Sequence, residues 1–241
     1  MKTTAQRVII VGASSGIGRE LAIIYAGKGC KIGISGRRVH LLEELQKEFP
    51  AQIIIQPFDN TKDEVEQQLS DLISKLGGLD LFILSSGTGY LNSSLEFAIE
   101  KETIDLNVMA WTRIADFIYN YFKVQKYGHF VAITSIAAIR GEGRAPAYNA
   151  SKAYQANYLE GLRKKSAYEK LAITVTDIQP GFVKTGMAKS YRRFWEAPVQ
   201  KAAIQIFQAI RWKKKKAYIT RRWWLVAQVL KVLPSGIYNR F

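Results

Sequence analysis

Tyr148 and Lys152 stand four positions apart in the stretch Ala147-Tyr148-Asn149-Ala150-Ser151-Lys152. On a helix that spacing puts a phenol and an ammonium on one face, about one turn from each other, where they can address one small volume. A free tyrosine titrates near ~10, so service as an acid or base at neutral pH asks for a shift of about 3 units, roughly 4 kcal/mol. A cation ~5 Å away at an effective dielectric of ~20 supplies about 3 kcal/mol, and a second nearby cation adds a similar push. The chemistry such a pair suits is proton exchange with an alcohol or carbonyl oxygen. Alone it decides little. With 12 tyrosines in the chain, about one Tyr-x-x-x-Lys arises by chance, and a second stands at Tyr119 and Lys123. That second pair reads as the outer part of a long helix and is given no role.

The elements around the pair carry more. Arg7 to Val11 reads as a buried strand running straight into Gly12-Ala13-Ser14-Ser15-Gly16-Ile17-Gly18, and a helical pattern follows through Leu21, Ile24 and Tyr25. Strand, glycine turn and helix N-terminus make a cradle for phosphate. Gly12 permits the turn, Gly16 lets backbone approach a pyrophosphate, and Gly18 lets helix and strand pack closely. The bland alternative is a plain glycine turn, but three glycines at this G-x-x-x-G-x-G spacing are hard to obtain idly. Lys31 to Ser35 is the second strand. At its end, where a dinucleotide-binding protein carries an acidic residue for the ribose hydroxyls, the chain has Gly36, Arg37 and Arg38. A carboxylate there would repel a 2′-phosphate and a guanidinium would bind it, which points to NADP(H) over NAD(H). Arg37 is the stronger candidate, and Arg38 suits a solvated helix start better.

A helix over Leu41 to Phe49 leads to a third strand, Ile53 to Ile55. Asp59 then accepts from an adenine amino group, caps the next helix with Thr61, or does both. The helix around Val65, Leu69, Leu72 and Leu76 stops at Gly77-Gly78, and a fourth strand, Leu79 to Leu84, ends in Ser85-Ser86-Gly87. A long helix, roughly Leu95 to Val124, holds Asn107 in its interior, where asparagine is mildly unfavourable and needs a partner. Phe130 to Ser135 is the fifth strand, with Ser135 at its carboxyl end, where open α/β sheets place ligands. Tyr148 to Tyr168 is helix, Ile173 to Ile178 a sixth strand leading to Pro180-Gly181, and Ala217 to Thr220 a short seventh. Strands and helices alternate with no repeat and no linker. The fold class expected is α/β: one doubly wound parallel sheet with helices on both faces over residues 1–220, then a C-terminal extension over 221–241.

The 241 residues suffice for one such domain with a full core. Val8 to Val11 is too short for a signal peptide or a membrane span. Cys30 is the only cysteine and His40 and His129 the only histidines, so a disulfide is excluded and no metal site is expected. The compartment expected is the reducing cytoplasm. The net charge of +15 is unevenly placed: residues 1–180 hold 21 Lys/Arg against 19 Asp/Glu, and residues 181–241 hold 14 against Glu196 alone, balances of +2 and +13.

Taken together, Gly12-x-x-x-Gly16-x-Gly18, Asn107, Ser135, Tyr148-x-x-x-Lys152 and Pro180-Gly181 resemble the short-chain dehydrogenase/reductase family over about residues 6–220. Ser135 lies 13 positions before Tyr148, the family's usual spacing, whereas Tyr119 has Leu106 there. The resemblance implies a Rossmann-type fold and hydride transfer between a nicotinamide and a carbonyl/alcohol pair. It implies that Ser135 hydrogen-bonds the substrate oxygen, Tyr148 passes it a proton, Lys152 binds the nicotinamide ribose and lowers the Tyr148 pKa, and Asn107 holds a relaying water. The cofactor contacts it implies fall on Gly12, Ser14, Ser15, Gly16, Ile17, Gly18, Arg37, Arg38, Asp59, Tyr148, Lys152, Pro180, Gly181, Val183 and Thr185. Where the family carries Asn-Asn-Ala-Gly after the fourth strand, this chain has Leu84-Ser85-Ser86-Gly87, so asparagine contacts are lost. Family members often pair the Asn107 and Tyr148 helices across a dimer, which implies a homo-oligomer, dimer or tetramer. Trp111, Phe117, Tyr121 and Phe122 read as core or subunit contacts. The loop from Phe182 to Pro198 would close over substrate, with Lys189, Tyr191, Arg192, Arg193, Phe194 and Trp195 as candidates.

The leading expectation is thus an NADP(H)-dependent oxidoreductase, working as a reductase, with an apolar or lipid-like ketone a natural substrate. A non-catalytic nucleotide sensor or scaffold of the same fold should show a broken tetrad, and this one is intact. A nucleic-acid binder could use Lys213 to Lys216, but no recognition motif accompanies that charge. The helix read over Arg221 to Leu233, stopped by Pro234, puts Trp223, Val226, Leu230 and Leu233 on one face, widened by Leu225, Val229 and Val232. It is too short to span a bilayer and needs cover on most sides. Either it packs on its own subunit or a neighbour and walls the substrate pocket, or it rests in an anionic membrane interface and makes the protein peripheral there.

Overall fold

A parallel sheet covered on both faces needs strands that are apolar on both sides, which shows as unbroken aliphatic runs rather than alternation. The chain supplies seven: β1 (Arg7–Val11), β2 (Lys31–Ser35), β3 (Ile53–Ile55), β4 (Leu81–Leu84), β5 (Tyr127–Ile133), β6 (Ala172–Pro180) and β7 (Lys216–Ile219). In the computed structural model, which describes residues 5–185 and 195–240, these strands form one sheet in the order β3-β2-β1-β4-β5-β6-β7. Every pairing is parallel. Within β1 the side chains divide by parity. Val8 and Ile10 enter a core under α1 (Gly16–Gly27) and α7 (Val199–Arg211), while Ile9 and Val11 enter the opposite core under α3 (Val65–Leu76), α5 (Trp111–Gln125) and α6 (Pro146–Tyr168). The strand order turns back between β1 and β4, so the loops at their carboxyl ends diverge and leave a crevice there.

The fold class and the seven strands agree with the sequence reading; two local expectations change. The long helix around Asn107 is not one regular α-helix. It runs as α4 (Phe97–Ile104), a π-helical turn over Asp105–Ala110, and then α5, with Asn107 inside the wider turn. Such turns recur at functional sites because they break the α hydrogen-bond ladder. Tyr119 is not on an outer surface either: it is buried, with its hydroxyl 3.1 Å from Ser166 Oγ, while Lys123 pairs with Glu169. Trp111 and Phe122 are core, and Phe117 and Tyr121 pack half-buried against it.

The C-terminal extension returns to the carboxyl edge of the sheet as α8 (Trp223–Val232) and α9 (Ser235–Tyr238). Trp223 is 3% exposed, meets Phe182 edge-on at 5.3 Å, and lies so close over Gly181 that a Cβ there would overlap the indole. Arg140 donates to Leu233 O at 2.9 Å and lies over the Tyr238 ring, and the Tyr238 hydroxyl donates to Gly141 O at 2.6 Å. One face of the extension therefore packs on its own chain, behind the Gly181–Phe182 segment that lines the crevice. Leu225, Val229 and Val232 face outward from the chain, so cover on that side would have to come from another surface. Truncation should separate the faces. Trp223→Ala is expected to cost about 3 kcal/mol in urea unfolding, as for other buried aromatics, and Leu225→Ala to stay within about 0.5 kcal/mol.

Candidate active site

The crevice is a cleft of ≈ 570 Å³ running from Arg37, Arg38 and Asp59, past the glycine turn, to Ser135, Tyr148 and Lys152. At the turn, Gly12 N and Ala13 N both donate to Ser35 O, at 2.9 and 3.0 Å, which ties the loop to the end of β2. Gly12 has φ +88°, and a Cβ on it would stand 2.6 Å from Ser86 N, so only glycine lets the two loops pass. Gly18 faces away from the cleft, its Cα against Gly12 O, and serves helix–strand packing. Gly12, Ser14, Ser15, Gly16 and Ile17 line the cleft, with Pro180, Gly181, Val183 and Thr185 opposite. The N-terminus of α1 opens between them, a natural seat for an anion.

Both arginines line the cleft, and Arg38, read as a solvated helix start, is instead held against the turn. It precedes α2 (Val39–Glu48), but its guanidinium folds back to the turn and donates to Ser14 Oγ at 2.9 Å and Ser15 Oγ at 2.6 Å. Gly36 makes this possible, because a side chain there would press on Ser14. Arg37 also lines the cleft and acts on Asp59 through its charge. Asp59 accepts from Thr61 N at 3.0 Å and Thr61 Oγ1 at 2.9 Å, so it closes a turn and does not cap the next helix, which starts at Val65 after Glu64; it also lines the cleft. Burial works against its ionisation, yet the Thr61 bonds and Arg37 hold its carboxyl below the ordinary value.

At the other end, β5 delivers Ser135 and α6 delivers Tyr148 and Lys152. The Tyr148 ring packs on Gly89, where a side chain would overlap it, and Lys152 Nζ lies 5.9 Å from the ring centroid. Lys152 donates to Ile133 O at 3.3 Å and Gln155 Oε1 at 3.0 Å. Burial pulls its ammonium down to about 8, against the opposing pull of the Asp177 carboxylate. Burial also pushes the Tyr148 phenol up, and the Ser135 hydroxyl offsets this in part. In the protein itself desolvation outweighs the Ser135 hydrogen bond, and the phenol lies above its ordinary value. At neutral pH the phenol is held as a proton donor beside a lysine that stays charged below about 8.

Asn107 does not line the cleft. It stands fully buried behind Lys152, its side chain accepting from Thr88 N at 2.9 Å and donating to Thr88 O at 2.7 Å and Ser151 Oγ at 3.0 Å. Its backbone carbonyl accepts from Gln155 Nε2 at 2.8 Å. The Gln155 side chain thus links the Asn107 carbonyl to the Lys152 ammonium.

Comparison with known proteins settles the family. The short chain dehydrogenase family matches residues 6–195. The chain belongs to the short-chain dehydrogenase/reductase family. It is 33% identical over 183 residues to an uncharacterized oxidoreductase of Myxococcus xanthus, covering 73% of this chain and 72% of that one. Among solved structures it resembles a short-chain dehydrogenase/reductase from Burkholderia phymatum in complex with NAD, at TM-score 0.83 and 17% identity over 95% of this chain and 94% of that one. A short chain dehydrogenase from Burkholderia cenocepacia in complex with NADP aligns at TM-score 0.83 and 18% identity over 100% and 98%.

Four positioning residues of this family member escaped the sequence reading. Asn149 donates to Ala137 O at 3.2 Å and Arg140 O at 2.7 Å, which ties the loop after Ser135 to the Tyr148 helix. Asn60 donates to Ser86 Oγ at 2.7 Å and so steadies the loop that lacks the family's asparagines. Asp177, buried on β6, accepts from Thr134 Oγ1 at 2.5 Å and Gln179 Nε2 at 2.7 Å, and burial raises its carboxyl. Gln155 is the fourth. A polar residue one turn past Lys152 on the same face was the available signal for it. Lys189, Tyr191, Arg192, Arg193 and Phe194 lie outside the described residues, and Trp195 stacks edge-on with Trp223 at 6.5 Å.

Gln155→Leu keeps the volume but strips one acceptor from Lys152 and the donor from Asn107 O. We expect a loss of about 2 kcal/mol in stability and a titration of Lys152 moved further below its value of about 8. Gln155→Glu, by adding negative charge, should move it the other way. The alkaline limb of the pH–rate profile reads this: activity falls as Lys152 loses its proton, earlier for Gln155→Leu and later for Gln155→Glu. A purely structural role for Gln155 would leave that limb in place.

Proposed function

We propose that the protein is an NADP(H)-dependent oxidoreductase that reduces the carbonyl of an apolar, lipid-like substrate to an alcohol. The observation that carries the cofactor choice is the cationic end of the cleft. Arg37 and Arg38 close β2 where a carboxylate would select against a 2′-phosphate, and Arg38 is already oriented on Ser14 and Ser15 beside the α1 N-terminus. Relatives of the same fold bound to NAD in one case and NADP in another support a nicotinamide in this cleft. Bound there, it supplies the hydride for the carbonyl carbon.

The chain's own residues do the rest. Ser135 donates to the substrate oxygen and orients it, and Tyr148 gives that oxygen its proton. Lys152 holds the nicotinamide ribose and stabilises the phenolate left behind, with Gln155 and Asn107 keeping its ammonium in place. Burial keeps the Tyr148 phenol protonated, as the donor role requires. Leu91, Leu106, Ile136 and Phe182 offer an apolar chain cover in the cleft, alongside Tyr90, Glu142 and Arg144, which can meet a polar end. The single cysteine, Cys30, supports a reducing cytoplasm as the workplace. The outer faces of the π turn and α5, which expose Met109 and Val124, together with Tyr154 on α6, support a homo-oligomer built on these helices.

Two measurements test this reading. Tyr148→Phe should lose ~10²-fold or more in turnover while binding NADPH as before; near-normal turnover would remove Tyr148 from its role. Arg37→Asp or Arg38→Asp should each weaken NADPH by roughly 2 kcal/mol, about 30-fold, and NADH far less. Equal loss with both cofactors would place the arginines elsewhere than on a 2′-phosphate.

A further inference from the structure

Away from the active site, α7, β7 and α8 enclose a second cleft of ≈ 770 Å³. Its wall carries Lys214, Lys216, Arg221 and Lys231 with Trp212 and Trp224; no carboxylate lines it, and behind it Lys216 stands 3.9 Å from the buried Asp177 carboxylate. Two oxygens on the same wall, Tyr218 Oη and Gln205 Oε1, are buried without a hydrogen-bond partner among the described residues. A buried hydroxyl with nothing to bond is costly, and a hydroxyl beside four cations can donate to an anion. The cleft therefore has the chemistry of a phosphate-ester site.

The helix that forms one side of this cleft carries three stripes. Trp223 and Ala227 are buried on the chain itself, and Trp224, Gln228 and Lys231 face the cleft. Leu225, Val229 and Val232, spaced by four and three, stand 59%, 56% and 79% exposed. An apolar stripe thus runs along the helix beside a row of cations. Among the occupants that could cover it, a second copy of the chain is disfavoured. A two-fold contact would set these cations against their own images, and the last 61 residues offer only Glu196 to compensate. A polyanion such as nucleic acid would satisfy the cations and leave the apolar stripe in water. A bilayer with anionic headgroups satisfies both: apolar side chains enter the acyl boundary, tryptophans sit at headgroup depth, and lysines and arginines reach phosphates. None of the described helices is long and apolar enough to cross a membrane, so contact would be at the surface.

We propose that α8 docks the protein on an anionic membrane surface, with headgroup phosphates entering the Lys214–Lys216–Arg221–Lys231 cleft. The inner face of the same helix covers Gly181 and Phe182 at the crevice, which sets the substrate end beside the bilayer. The docking stands independently of the reaction and cofactor.

Co-sedimentation of the full chain with vesicles tests it, using phosphatidylcholine alone and phosphatidylcholine with about one third phosphatidylglycerol, at roughly 0.1 M salt and again at about 0.5 M. Binding should favour the anionic vesicles at least about tenfold and fall away at the higher salt. Leu225→Glu/Val229→Glu, at exposed positions, and Lys214→Glu/Lys231→Glu should each lose about tenfold or more of that binding, with circular dichroism and melting temperature unchanged. Vesicle binding by the variants equal to the wild type, or no binding by the wild type, would overturn the proposal. So would light scattering that shows an oligomer dissolved by Leu225→Glu/Val229→Glu, which would make this face a contact between copies. Saturable binding of inorganic phosphate without vesicle binding would equally sink it.

Discussion

A lysine ammonium held out of water is the constraint on which the site depends. An unpaired buried charge is costly enough that proteins surround it or neutralise it. Lys152 is surrounded by groups from four elements: the last carbonyl of β5, the Gln155 amide one turn along α6, the Asn107 carbonyl of the π turn behind that amide, and the Asp177 charge on β6. Each has to be in register for the others to be useful. The lysine's titration near 8 is the residue of this balance, with burial winning over the carboxylate. The same burial keeps Tyr148 protonated, so the acid and its supporting cation are set by one dry volume.

The sheet makes that volume possible. Parallel pairing brings the carboxyl ends of β1, β4, β5 and β6 to one edge, and the reversal of strand order at β1 and β4 opens the gap between their loops. The loops can then approach only where side chains are small. Gly12 passes under Ser86, and Gly89 receives the Tyr148 ring. The departure at Ser85-Ser86 fits this economy of space, since Asn60 reaches across from the preceding strand's loop to bond Ser86. A side-chain amide is thus restored to this loop from a different place in the sequence.

The C-terminal extension shows how one short helix can serve two environments. Trp223 and Ala227 fix it to the chain, and the bond from Arg140 to Leu233 O pins its far end to the loop after Ser135. Those contacts use one face. Of the remaining faces, the cationic one is held through Lys231 over the Tyr218 ring at 5.7 Å, and the apolar one stands exposed.

Sequence alone determined the strands, the glycine turn and the α/β class, and singled out Ser135, Tyr148 and Lys152, which the structure brings to one end of the cleft. These are local matters: unbroken aliphatic runs, three glycines at fixed spacing, and residues 13 and four positions from one tyrosine. The tertiary structure alone decided that Arg38 reaches the turn, across 24 positions to Ser14, and that Gln155 meets Asn107, across 48. It also decided that Tyr119 is buried and that Asn107 sits in a π turn behind the cleft. No periodicity carries such information, because chain direction between distant positions is set by packing of the whole sheet. The clearest case is the Tyr148 phenol. Spacing predicts a cation nearby, but whether a phenol titrates above or below its ordinary value depends on how much water the surrounding atoms exclude, and that is a property of the folded volume.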